Sequence, residues 1–492
     1  MMKIKQLQLR NYGRFEDLTI NFAPTDERAS NVTVIVGNNG AGKSQILQAL
    51  AVSLSRFIVA LGKNLVKNNG LEIDRKSILN GKNDSEIALK VGNYAIETSW
   101  KVYTDKDNSI GAFSYDRSFF DTFIENYKNK SNISLPLIVF YPVERAILGN
   151  NEALVLEVDN NPLSGYHNAL EGISIQFSNF LQWFRQQEDI ENEMLRLTAI
   201  HIDKQLYKHY EATQEIDKIF KEYDNLMLNL GENTENITEI QTRLENLKKQ
   251  REKYEVIIKD SEKIKNMSEY GQLHLLSLLS TKKAIEYFTD FKNIHIERQG
   301  TPTMIVEKDG EELDVNQLSQ GEKSLLALVG DIARRLAILN PSLDDPLQGE
   351  GVVMIDEVDL HLHPKWQHDL IDKLVRTFPK VQFILTTHSP HIVSDRQDIL
   401  VYSLDNGQLQ TIGNVYGEDA NTVLNDVFHV PYRTPEIDKA FNGIRRAISH
   451  KELESAESQI NNIAKKVSSS NTELLKVRLM LAQAKLTRNK VS

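Results

Sequence analysis

A run of mostly β-branched residues, Val32-Thr33-Val34-Ile35-Val36, passes straight into Gly37-Asn38-Asn39-Gly40-Ala41-Gly42-Lys43-Ser44, and an apolar helical stretch follows from Gln45. The first part suits a buried strand. The second matches G-x-x-x-x-G-K-[ST] at every fixed position. Backbone N–H groups of such a loop converge on phosphate, its glycines allow close approach, and the helix that follows presents its positive end. Lys43 is then placed to reach β- and γ-phosphates and Ser44 to bind Mg²⁺. A strand, loop and helix in this order put the chain in the α/β class.

The rest of the chain is organised around this unit. Residues 3–9 alternate apolar and polar and read as an edge strand, 87–102 as short strands, and 135–140 as an apolar strand. Between about 190 and 267 the text turns polar, charged and free of proline. Its apolar positions (Ile216, Ile219, Tyr223, Leu226, Leu230, then Ile237, Ile240, Leu244, Leu247) step by threes and fours. The Asn229-Leu230-Gly231-Glu232-Asn233 segment supplies a turn, so a short antiparallel helical hairpin with arms of about 40 Å is expected. Strands return at 294–306, 351–355 and 381–386, a helix starts near Ser319, and beyond Asn414 the pattern is helical. The expected units are 1–189, an N-terminal lobe; 190–267, an inserted arm; 268–413, a C-terminal lobe; and 414–492, a helical tail.

Three further motifs lie in the C-terminal lobe. Val352-Val353-Met354-Ile355-Asp356-Glu357 is an apolar strand ending in two carboxylates, the first suited to Mg²⁺ and the second to polarising a water. Leu318-Ser319-Gln320-Gly321-Glu322 opens a long helix. Ser-x-x-Glu is a capping box, and a capped helix with glycine in its first turn also offers N–H groups to a phosphate, so both readings stand. His388 ends the strand that follows the acidic pair, where it serves either structure or the sensing of a γ-phosphate.

Composition removes several chemistries. With no cysteine among 492 residues, disulfides, Cys-based zinc sites and a thiol nucleophile are excluded. A net charge of −10 disfavours a generally basic nucleic-acid surface. The segment 431–492 carries 12 Lys+Arg and 6 Asp+Glu, a local +6, which suits either a docking surface or a solvated helix face. The first ten residues form no signal-peptide pattern and no apolar run reaches about 18 residues, so a cytoplasmic location is expected.

In order, the phosphate loop, the L-S-x-G-E signature, the strand with Asp356-Glu357 and the following His388 resemble those of ABC-type ATPases. The wide gap between loop and signature, filled by a helical arm, resembles the SMC/RecF branch. So does the opening Leu9-Arg10-Asn11-Tyr12-Gly13-Arg14-Phe15. Glu357-Val358-Asp359-Leu360-His361-Leu362-His363-Pro364 is similar to the D-loop of the overcoming-lysogenisation-defect (OLD) ATPases. The resemblance implies an ATPase head of mixed sheets and helices. Gly37 through Ser44 would bind ATP, and Ser44 and Asp356 would hold Mg²⁺. Glu357 would be the general base, His388 and Lys43 would act on the γ-phosphate, and Ser319 and Gly321 would contact the nucleotide of a partner copy. Asp359 would lie at that dimer interface. A Q-loop glutamine is not placed, Tyr141-Pro142 and Arg145 marking only a candidate region. Tyr12 and Phe15 stand equally as adenine-stacking or core residues. His361 and His363, two apart beside a proline, read as packing or hydrogen-bonding residues of the loop ahead of a metal pair.

The missing cysteines exclude a zinc hook, the tail shows no acidic Toprim cluster, and no HNH constellation is present, so an ATPase subunit without its own nuclease is expected. A short arm, a helical tail and Tyr416-Gly417-Glu418-Asp419-Ala420-Asn421-Thr422-Val423-Leu424 resemble the PtuA-type ATPases of Septu anti-phage systems, to which ATPases of some retrons are related. That resemblance implies head-to-tail dimers, or higher oligomers built on them, controlling a separate HNH nuclease, with nucleic acid reached through that partner. A RecF-like repair ATPase that binds DNA directly, and a scaffold that binds ATP with little turnover, remain as alternatives.

Overall fold

The computed structural model describes residues 2–26, 28–62, 70–92, 96–106, 112–128, 134–143, 146–147, 161–172, 175–197, 213–222, 242, 245–249, 252, 269–300, 302–428 and 434–489. The expected hairpin turn at 229–233 and Arg145 lie outside them.

A five-stranded antiparallel sheet is formed by β1 (Lys3–Tyr12), β2 (Phe15–Asn21), β4 (Asp84–Gly92), β5 (Glu97–Asp105) and β6 (Ala112–Tyr115), in the order β2-β1-β4-β5-β6. Residues 3–9 therefore lie inside the sheet and not at its edge, with β2 on one side and β4 on the other. The alternation that suggested an edge reports one buried and one wetter face, which a central antiparallel strand shows equally.

The second sheet combines β3 (Val32–Gly37), β7 (Leu137–Tyr141), β13 (Gly351–Ile355), β14 (Val381–Thr387), β15 (Leu400–Asp405) and β16 (Gln408–Ile412), in the order β16-β15-β3-β14-β13-β7. All its pairings are parallel except β15 with β16. Strands from before and after residues 190–267 thus share one sheet, and one apolar core runs through residues from both. The continuous apolar runs of β3, β7, β13 and β14 are buried along their whole length, as parallel strands covered on both faces must be.

Helix α1 (Lys43–Leu61) follows β3 and packs against both sheets. By length and composition alone it could cross a membrane, yet most of it is buried in this core. Two of its polar interruptions have partners: Ser55 Oγ donates to Val52 O and accepts the Leu71 N–H at 2.8 Å, while Arg56 donates to Leu71 O at 3.1 Å. Trp100 of β5 donates its indole N–H to Ser53 O of α1 at 3.0 Å, tying the two layers together.

After α2 (Arg117–Lys128) and the short pair β8 (Ala146–Ile147) and β9 (Ile175–Gln176), α3 (Phe177–Leu197) and α4 (Glu269–Thr289) lie on either side of the segment expected to form the arm. Lys282 of α4 pairs with Glu188 of α3 at 3.0 Å, and Arg298 grips Glu188 and Asp189 from beyond. A three-stranded sheet of β10 (Lys292–Glu297), β11 (Thr303–Lys308) and β12 (Glu311–Asp314) then leads to α5 (Gln320–Leu339).

On the buried face of α5, Asp331 binds Arg334, Arg335 and the Tyr141 hydroxyl, and Arg335 also donates to Gly165 O and His167 O. Despite complete burial, the two guanidinium groups hold the Asp331 carboxyl well below the usual carboxylate range. The end of β7 is thereby fixed to α5, with the Tyr141 side chain buried in the core and its carbonyl accepting the Asp356 N–H at 2.9 Å.

In the tail, the helices Pro435–Ser449, Leu453–Ile463 and Thr472–Asn489 build a small core of their own around Phe441, Ile444, Ile460, Leu474, Val477 and Leu481. The opposite side of the last helix exposes Leu475, Leu479 and Leu486, with Met480 beside them.

Candidate nucleotide site

In register, Val36 of β3 lies opposite Thr387 of β14, and Leu385 opposite Ile355 of β13. The residues just past these strand ends therefore converge at one rim of the sheet, the place where open α/β sheets bind ligands.

After β3 the loop needs glycine at two positions for definable reasons. A Cβ on Gly37 would sit 2.2 Å from Leu404 O, and Gly42 has φ +108° with Phe15 directly beneath it. Asn38, Asn39 and Gly40 are exposed, Ala41 and Lys43 are buried, and Ser44 is half-buried in the first turn of α1. That turn carries no acidic residue and no side-chain cap. Its N–H groups and positive end are what a phosphate binds.

Lys43 Nζ lies 2.8 Å from Gly37 O, 3.3 Å from Asn38 O and 2.9 Å from His388 Nε2. Burial lowers its pKa, against the opposing charges of Asp356, Glu357 and Asp359. His388 is also lowered, first by burial and then by the Lys43 charge. A neutral imidazole whose Nε2 accepts from the ammonium satisfies both groups.

The acidic pair is held by one threonine. Thr386 Oγ1 donates to Asp356 Oδ1 and accepts the Glu357 N–H at 2.8 Å. Asp356 is buried, and Glu357 has φ +45°, a left-handed conformation uncommon for glutamate that turns the chain sharply out of β13. Asp359, expected at a dimer interface, accepts from Thr387 Oγ1 at 2.6 Å and from the His388 N–H at 3.3 Å within its own chain. Lys43, Asp356, Glu357, Asp359 and His388 thus form one electrostatic group. Two oxygen donors, the Asp356 carboxylate and the Ser44 hydroxyl, have the hard chemistry that suits Mg²⁺.

The signature stands at the N-terminus of α5. Ser319 is the cap: its N–H donates to Glu322 Oε2 at 2.9 Å, and the Glu322 N–H donates back to Ser319 Oγ at 3.4 Å. Ser319 is exposed, whereas Gly321 is buried, and a Cβ there would lie 2.4 Å from His361 O. The loop after Glu357 therefore runs from the end of β13 to the N-terminus of α5. His363 caps the short helix Pro364–His368 by accepting the Lys365 N–H at 3.2 Å, which gives it the hydrogen-bonding role expected of it.

Tyr12 and Phe15 are 2% and 1% exposed, so both belong to the core and neither presents a face to adenine. Sequence reasoning gave no role to Arg14, whose guanidinium reaches Gly40 O of the phosphate loop from the β1–β2 turn. It also missed Thr386 and Thr387, whose hydroxyls set the carboxylates. Only their position at the end of the strand before His388 could have marked them.

The model of the AAA ATPase domain family matches residues 2–393. The retron Ec83 probable ATPase of Escherichia coli is 32% identical over 454 residues, covering 88% of this chain and 78% of that protein. The Septu protein PtuA of Bacillus thuringiensis is 35% identical over 98 residues, 20% of this chain and 25% of PtuA, so the expected relation to PtuA is present over a shorter stretch. Among solved structures, the Smc head domain with an extended coiled coil from Pyrococcus furiosus is 17% identical, covers 87% of this chain and 100% of its own, and gives a TM-score of 0.41. With its glycine-rich loop, acidic strand end and histidine gathered at one sheet rim, the chain belongs to the AAA ATPase domain family and is a mixed α/β protein related to the retron Ec83 probable ATPase and the Septu protein PtuA.

Proposed function

We propose that the chain binds ATP with Mg²⁺ and hydrolyses it in a site completed by a second copy, head to tail. The observation that carries this reading is the convergence of Lys43, His388, Asp356 and Glu357 at the ends of β3, β13 and β14. The loop from Gly37 to Ser44 and the first turn of α1 hold the triphosphate, and Ser44 and Asp356 hold the metal. Bound Mg²⁺ would supply charge neutralisation for the triphosphate.

Glu357 takes a proton from the attacking water as its oxygen bonds to the γ-phosphorus. The bond from that phosphorus to the bridging oxygen breaks and ADP leaves. Lys43 turns from the loop carbonyls toward the developing charge, and neutral His388 donates a ring N–H to a γ-phosphate oxygen. Exposed Ser319, with the helix end at Gly321, meets the nucleotide of the second copy. Asp359 couples that interface to His388.

We infer further that this cycle governs a separate HNH nuclease in a cytoplasmic anti-phage complex. The names of the relatives, a retron ATPase and a Septu protein, support it. So do the tail's local +6 charge and its exposed leucines, which suit docking of a partner. Affinity capture of the chain from its native cells, with mass spectrometry of what co-purifies, tests this. A stoichiometric small HNH protein is expected. Repair proteins or nucleic acid without a nuclease would instead favour a RecF-like role.

A further inference from the structure

Glu322 is 5% exposed and makes two kinds of contact from its two oxygens. Oε2 accepts both the Ser319 N–H at 2.9 Å and the Ser319 hydroxyl at 2.7 Å. Oε1 accepts Lys308 Nζ at 2.6 Å. Burial pushes the Glu322 carboxyl up, but Lys308 and Ser319 outweigh it and hold the group ionised; Lys308 is raised in turn, chiefly by its hydrogen bond to Glu322. Lys308 comes from neither the phosphate loop nor the signature. It ends β11, in the small sheet between α4 and α5.

We propose that Lys308 is a positioning residue for the signature serine, keeping Glu322 neutralised so that Ser319 can turn its proton to the triphosphate of a second copy. This rests on the head-to-tail reading above. In the chain alone the Ser319 proton is committed to Oε2. To donate to a phosphate oxygen it must leave that carboxylate, which then stands beside several phosphate charges. With Lys308 in place the carboxylate keeps a cation and the Ser319 N–H. Without it, Glu322 holds the serine proton more strongly and repels the phosphates, and a partly buried carboxylate leaves little water to screen either effect. The capped helix is retained in both cases, because the cap itself is made by Ser319 and Glu322.

The test uses the full-length chain, with hydrolysis and ATP-dependent association measured over a range of ATP concentrations. In Lys308→Met the ATP needed for half-maximal association and hydrolysis rises about tenfold, a shift of the size one displaced charge contact gives. Turnover at saturating ATP, and binding of a fluorescent ATP analogue to the isolated chain, stay near wild type. Lys308→Arg restores the wild-type response. Lys308→Met combined with Glu322→Gln also recovers most of it, because no charge is left to neutralise. An unchanged response in Lys308→Met overturns the assignment. So does a double variant no better than the single one, which would leave Lys308 as a mere fastening between β11 and α5. A wild-type chain that never associates with ATP defeats the head-to-tail reading itself, and this assignment with it.

Discussion

The ammonium of Lys43 lies 2.9 Å from Nε2 of His388, a cation held against an imidazole that burial and that same charge keep neutral. The pairing joins the phosphate loop to the end of β14. It also fixes the tautomer of His388, with Nε2 as acceptor and the proton on Nδ1.

A pH prediction follows from the sign of that shift. A histidine with a lowered folded pKa contributes stability that is present above its unfolded pKa, near 6.5, and lost as pH falls toward the folded value. Carbon-13 NMR of labelled histidines should show His388 titrating below 6.5. In Lys43→Ala its titration should move upward, because the repelling charge is gone. A downward move would contradict the pairing.

Thr386 is the second handle on the chemistry. Replacing it with valine keeps the shape but removes the donor to Asp356 and the acceptor of the Glu357 N–H. Each lost hydrogen bond costs about 1 kcal/mol of stability, so the midpoint of urea unfolding should fall. Steady-state ATPase should fall roughly ten- to a hundredfold.

Gly321 and Ser319 should separate in stability measurements, although both belong to the signature. Gly321→Ala drives a methyl into His361 O and should cost about 1–3 kcal/mol in the isolated chain. Ser319→Ala loses only a helix cap, about 1 kcal/mol. Loss of ATP-dependent association in Ser319→Ala without unfolding would then report the interface, whereas the same loss in Gly321→Ala would not.

Asp331→Asn tests the network on the buried face of α5. Arg335 would keep the carbonyls of Gly165 and His167 but lose its counter-charge. A cost of about 3–5 kcal/mol is expected, read from chemical denaturation at pH 7. Because the Asp331 pKa is depressed, its contribution is present above the unfolded value and is lost as pH falls toward the folded one.

What could be read from the sequence was what a short stretch encodes by itself. The run from Val32 to Val36, the loop through Ser44 and the acidic end of β13 carry their geometry locally, and the structure brings them together. The signature helix was equally legible, since Ser319 and Glu322 are three residues apart. Contacts between distant segments were not. Asp359 reaches Thr387 and His388 some 28 residues on, and Lys308 of β11 reaches Glu322 of α5. Alternation at 3–9 marked a strand but could not count its neighbours, and the aromatic residues Tyr12 and Phe15 gave no sign of facing inward.

The central claim is that Glu357 is the general base of a site closed by two copies. Analytical ultracentrifugation of Glu357→Gln, with and without ATP and Mg²⁺, addresses it most directly, alongside its rate of ATP turnover. The account predicts retained nucleotide binding, turnover reduced by at least about a hundredfold, and a dimer that persists only with ATP. A variant that hydrolyses ATP like wild type, or stays monomeric with ATP bound, would contradict it.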